Sequence, residues 1–170
     1  MQRRRRAHER RYLDSVSAPD LVVPIVAFRA WRIVDGRLLS PYIPCRWEGA
    51  VMHAECYPAN RSLQFGRGWL DTPHVPPHRD CQCGIYAYHR PGTQTYYGEF
   101  DWVEGIVAAW GRVESHRDGL RAQHARVCAL ARRPGVEAIA ADLGVDLVER
   151  DELEAAAARY GAPLPPSLVP

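Results

Sequence analysis

The chain has 170 residues, 46% hydrophobic and 25% charged, which is ordinary for a soluble globular protein with a buried core. No stretch approaches the ~20 apolar residues of a membrane span, and no apolar run follows the charged N-terminus as in a secretory signal. A cytoplasmic protein without a membrane span is therefore expected, carrying a net charge of +2 that is unevenly placed.

Residues 1–11 hold Arg3, Arg4, Arg5, Arg6, Arg10 and Arg11 against Glu9 alone. The stretch 1–19 reads as a basic arm, disordered and solvated, whose arginines could touch nucleic acid, an acidic lipid surface or the chain's own acidic end. All basic residues are Arg, and with abundant Ala, Gly and Pro this points to a GC-rich genome more than to a function.

Residues 21–34 are apolar with Arg29 and Arg32 interspersed, as on a half-exposed strand. Asp35-Gly36 is a hairpin signal, and Leu38 to Tyr42 is the returning strand, kept short or at an edge by Pro41 and Pro44. Trp47-Glu48-Gly49 reads as a turn. Val51 to Tyr57 is a further strand or a short helix, containing His53 and Cys56. Residues 58–73 form a loop that leads to His74.

Gly84 to Arg90 alternates, with Ile85, Ala87 and His89 on one face and Tyr86, Tyr88 and Arg90 on the other. Residues 92–101 form an exposed loop. Trp102 begins a long apolar segment whose partner returns after a turn near Arg117–Gly119. The returning segment is a strand to about Ala122. Beyond that it is either helix or extended chain to Arg133, because Leu120, His124, Val127, Cys128 and Ala131 also fit a 3.6-residue period. Pro134 opens a short helix stopped by Gly144, Val145–Val148 is extended, and Asp151 to Tyr160 is a helix ended by Gly161. The proline-rich end is irregular.

The expected fold is α+β: a small β-rich domain at residues 20–133, barrel- or sandwich-like with antiparallel strands, followed by a helical acidic tail at 134–170.

The chemistry gathers around His74-Val-Pro-Pro-His78-Arg-Asp-Cys81-Gln-Cys83-Gly84. Five cysteines are an odd number for a disulfide framework, so metal ligation or buried thiols fit better. Cys56, His74, Cys81 and Cys83 supply the four donors of a structural zinc, with His78 as the substitute for His74. Pro76 and Pro77 stiffen the connector, and Gly84 permits the tight backbone that a Cys-X-Cys pair needs. An iron–sulfur cluster on Cys45, Cys56, Cys81 and Cys83 is the lesser alternative, and Cys128 reads as a core thiol.

Enzyme readings are weaker. A catalytic metal would need an open position and a base, for which Asp80 and Glu55 are the nearest acids in sequence. A Cys81–His78 nucleophile pair has no supporting signature, and no His-Glu-X-X-His, deaminase or phosphate-loop pattern is present. Gly66-Arg67-Gly68 is too short for a nucleotide loop. The five tryptophans are mostly core. Tyr86, Tyr88, Tyr96 and Tyr97 with Arg90 are candidates for stacking single-stranded nucleic acid, on a domain that is not basic overall.

The phrase His-X-X-Pro-X-X-X-Cys-X-Cys-Gly-Ile-Tyr-Ala (His74 to Ala87) resembles one found in an uncharacterised bacterial family of GC-rich genomes. Val-X-Gly-X-Val-X-X-Trp-Gly-X-Val (Val103 to Val113) and Gly-Leu-Arg-Ala (Gly119 to Ala122) are similar to the same family. The resemblance covers about the central hundred residues. It implies that Cys56, His74, Cys81 and Cys83 act together, and it carries no activity. The expectation is a zinc-stapled interaction or regulatory domain with an unknown protein partner. A metal- or thiolate-dependent enzyme at the same residues and a nucleic-acid-binding module using the arm are the alternatives.

Overall fold

The computed structural model describes residues 16–18, 23–41, 43, 45–56, 72–94 and 101–170. The Arg-rich stretch 1–11, most of the 58–73 loop, and Trp69, Tyr96 and Tyr97 lie outside the described residues.

A long hairpin organises the sheet. β6 (Trp102–His116) and β7 (Gly119–Ala131) run antiparallel, paired from Gly105–Leu130 to His116–Gly119. The turn is Arg117–Asp118, where the expected break lies. β7 stays extended to Ala131, so of the two options for residues 120–133 the structure takes the extended one. The deciding influence is β6 beside it: backbone pairing along the full hairpin overrides the helical propensity of an Ala-rich segment. Two irregularities bend the hairpin, one between Ile106 and Val107 and one between Trp110 and Val113.

β2 (Ile25–Val34) lies on the first half of β6. It returns through Asp35-Gly36 into β3 (Arg37–Leu39). Both turn residues have positive φ, 51° and 69°, the backbone of a two-residue hairpin loop matched to strand twist. β5 (Ile85–Tyr88) pairs with the start of β7 and touches β2 at Phe28–Tyr88. The pairings β6–β2, β2–β5, β5–β7 and β7–β6 therefore return to their start, and the circuit closes as in a small barrel. β1 (Val16–Ala18) flanks the far half of β6, and β4 (Val51–His53) flanks β7.

The alternation read at Gly84–Arg90 is present in β5, where Ile85 and Ala87 are buried and Tyr86 and Tyr88 are half-buried. Arg29 departs from expectation: it is 6% exposed. Its guanidinium donates to the carbonyl of Tyr86 and to Ser40 Oγ, and it lies against the rings of Trp31 and Trp47. Hydrogen bonding and cation–π contact together offset the cost of removing that charge from water.

The C-terminal segment is built onto the same core. α1 (Glu137–Leu143) is capped by Gly144 in the left-handed conformation. It starts three residues later than Pro134 because Pro134–Gly135 form a turn. β8 (Asp146–Val148) adds in parallel to the end of β7. A 3-10 turn (Arg150–Glu152) leads into α2 (Leu153–Ala157). Val136, Ile139, Leu153 and Leu164 share one apolar cluster with Trp31, Ile106 and Leu130. The proline-rich end is more ordered than its composition suggests: Ala162 bridges to Ile25, and Pro166–Leu168 form a 3-10 turn. No helix among the described residues is long and apolar enough to cross a membrane.

Candidate metal centre

Three pieces of chain converge beside the start of β7. β4 ends at His53, and Ala54 N–H donates to Gln123 O (2.7 Å), which aims the following residues, including Cys56, along β7. A connector then brings in His74 and the buried Pro76 and Pro77, joined by a cis peptide. Arg112 ties this connector to β6 by donating to Val75 O at 3.2 Å. A tight turn follows, closed by Cys81 N–H donating to His78 O (2.9 Å), and presents Cys81 and Cys83 just before β5.

The ligand atoms of Cys56, His74, Cys81 and Cys83 all lie within 4.8 Å of one another. Cys56 Sγ and Cys81 Sγ are 3.6 Å apart, and His74 Nε2 is 3.3 Å from Cys83 Sγ. All five cysteines are free, and 3.6 Å is far beyond a disulfide bond of ~2.05 Å. Metal bonds of ~2.0–2.3 Å in a tetrahedron put neighbouring donors within about 4 Å. The 3.6 Å and 3.3 Å spacings meet that, and every other pair lies within 4.8 Å.

The histidine is oriented from behind. His74 Nδ1 is 2.7 Å from Thr72 O, and a carbonyl can only accept. The proton is thus on Nδ1, and the Nε2 lone pair faces the sulfurs. His78 has a different task. Its Nδ1 accepts from Asp80 N–H at 3.2 Å, its carbonyl closes the turn, and its ring leans on His74 at 5.1 Å. The structure brings His74 into the group and leaves His78 outside it. Cys45 is also outside, its Sγ directed at Arg46 O (3.8 Å), so the four-cysteine set is not assembled. Cys128 is only half-buried. Asp80 and Glu55 are exposed and absent from the group.

The carbonyls of the Cys-Gln-Cys segment are all engaged. Arg121, fully buried on β7, donates through Nη1 to Cys81 O and to Cys83 O (3.2 Å), while Tyr86 Oη–H donates to Gln82 O (3.0 Å). Arg121 Nη2 is paired with Glu114, and Nε–H donates to His116 Nε2 at 3.1 Å. Gly84 completes the packing. It has φ 118°, and a Cβ there would meet Pro77 Cβ at 3.1 Å and Arg121 Cβ at 3.2 Å.

Electrostatics separate this group from a reactive thiol. Burial, with Cys81 next to it, pushes the Cys56 thiol up to about 11, and burial pushes Cys83 up to about 12. Nucleophilic cysteines are shifted the other way, by a nearby cation or helix terminus. Thiols raised in this manner stay protonated near neutral pH unless a cation takes the proton's place.

Sequence reasoning overlooked Arg121 and Glu114. A signal existed: the turn at 117–118 places residues 114 and 121 opposite each other in the hairpin, so an acid and a base there form a cross-strand pair. No family model, no curated protein and no solved structure matches this chain.

Proposed function

We propose that this chain is a zinc-stapled interaction domain, in which Cys56, His74, Cys81 and Cys83 hold one structural zinc ion. The observation that carries the reading is the convergence of three sulfurs and one correctly oriented imidazole nitrogen within 4.8 Å. Soft thiolates with one imidazole favour zinc, and four protein donors fill its tetrahedron. A filled tetrahedron leaves no position for an activated water, and the exposed Asp80 and Glu55 stand outside the group as bases. These points favour a staple over a catalytic ion.

The staple adds a link among segments that the barrel holds one by one: the end of β4, the 72–83 connector and the start of β5. It holds them as a surface beside the barrel, with Val51 and Val75 exposed. In this proposal that surface takes the interaction role, with a protein as the partner class. A separate hollow of about 500 Å³, lined by Glu104, Arg132, Glu149, Arg150 and Asp151 among others, contains none of the four residues.

Metal analysis of the purified protein tests the reading. About one equivalent of zinc is expected, falling with Cys81→Ser together with the melting temperature. Less than about a tenth of an equivalent of zinc in protein grown with it would end the proposal.

A further inference from the structure

A pair of nitrogen donors lies apart from the Cys/His group, where β4 meets β7. His53 on β4 and His124 on β7 are directly opposite each other in the antiparallel register. Their rings meet edge to face at 4.7 Å, and the two Nδ1 atoms are 2.7 Å apart. Both side chains reach solvent, and β4 ends the strand order on that side.

The His124 ring is wedged in place. Trp110 packs on it at 5.6 Å, and Gly111 leaves the space that it fills, since a Cβ at 111 would come within 2.9 Å of His124 Cδ2. A ring seated in this way is a preorganised donor, and its partner across the ladder needs no backbone movement to converge with it.

We propose that His53 and His124 form a surface site for a borderline divalent cation of the nickel or copper class. Imidazole suits these ions, and at a given nitrogen site affinity rises through nickel to copper. The spacing is compatible with shared ligation. Two nitrogens bound at ~2.0 Å stand about 2.8 Å apart when cis in a square plane and about 3.3 Å apart in a tetrahedron. The observed 2.7 Å is closer to the square-planar arrangement. Both Nδ1 lone pairs point at the ion when the ring protons sit on the Nε2 atoms. Remaining positions go to water or to a donor from outside the chain. In the absence of metal, one Nδ1–H donates to the other ring. Burial and the neighbouring His53 disfavour protonation of His124, which keeps its lone pair available.

The site is independent of the Cys/His group, although His53 is only three residues from Cys56. A cation there would clamp the three-residue edge strand β4 onto β7.

The test is Ni²⁺ titration of the protein as purified, without an affinity tag, followed by calorimetry and by the visible ligand-field absorption. The wild type is expected to take one equivalent, and His53→Ala to bind about a hundredfold more weakly, since it loses one of two linked donors. His53→Ala is the decisive variant because its side chain is exposed; His124→Ala serves as the second. Ni²⁺ bound at the thiolates would instead show sulfur charge-transfer bands and be lost in Cys81→Ser. Failure of the zinc proposal is therefore distinguishable from failure of this one. Equal binding by wild type and His53→Ala overturns the proposal, as does a wild type that binds no nickel at about 1 mM.

Discussion

Arg121 and Glu114 form an ion pair enclosed in the barrel wall, with 0% and 6% of their side chains exposed. The pair is also the rear support of the Cys-Gln-Cys segment, because the same guanidinium donates to the carbonyls of Cys81 and Cys83. Removing one partner leaves a buried charge without compensation. Arg121→Met or Glu114→Gln is therefore expected to cost about 3–5 kcal/mol in urea unfolding. The Arg121→Met/Glu114→Gln double variant should cost less than the two single changes summed. Strict additivity in the double-mutant cycle would refute the coupling.

Gly84 sits at φ 118° with Pro77 and Arg121 against its missing Cβ. Gly84→Ala is expected to destabilise by about 1–3 kcal/mol through backbone strain. It should also reduce bound zinc, since it shifts the segment carrying Cys83. A Gly36→Ala control, at a position with open space, separates the two effects: it strains a turn remote from the thiols and should leave zinc content unchanged.

His116 is held neutral, with its pKa lowered to about 4 by burial, by the Arg121 charge and by His89. The ordinary value in the unfolded chain is ~6.5. Between those values the unfolded state binds more protons than the folded one. The stabilising contribution is thus fully present above pH ~6.5 and is lost as pH falls toward 4. His116→Gln should flatten this slope in urea midpoints measured from pH 7 to pH 5. Parallel curves for the two proteins would rule the assignment out.

On the proposed reading, zinc must displace the protons of thiols pushed up to about 11 at Cys56 and about 12 at Cys83. At least two protons should therefore be released per zinc at pH 7, and affinity should weaken as pH falls. Calorimetry in buffers of different ionisation enthalpy counts them. Release of fewer than one proton would be incompatible with thiolate ligation.

Local signals carried much of the fold. Asp35-Gly36 and the 117–119 turn were legible because a two-residue hairpin loop has a distinctive chemistry, and β5 because its alternation is strict. The Cys/His group was legible for a different reason: donor side chains are few, so a cluster of them in sequence leaves few combinations. β7 was ambiguous because its Ala-rich second half satisfies both periods, and only the partner strand decides between them. Arg29 was misread and Arg121 overlooked for the same physical reason. An arginine in a strand reads as solvent-facing until the carbonyls that receive it, at Tyr86, Cys81 and Cys83, are known from tertiary structure. The pairing of Ala162 with Ile25 likewise joins residues too far apart for any local pattern to report.

The strand order has a consequence for synthesis. β1, β2, β4 and β5 each take β6 or β7 as a neighbour, and both of those lie in the later half of the chain. As the polypeptide emerges from the ribosome, the only early strands with a partner among the described residues already made are the β2–β3 hairpin and the β2–β5 contact. Cys56, His74, Cys81 and Cys83, by contrast, are all translated before Trp102. On the proposed reading, the metal loop can close on its ion while the nascent barrel still waits for its two longest strands.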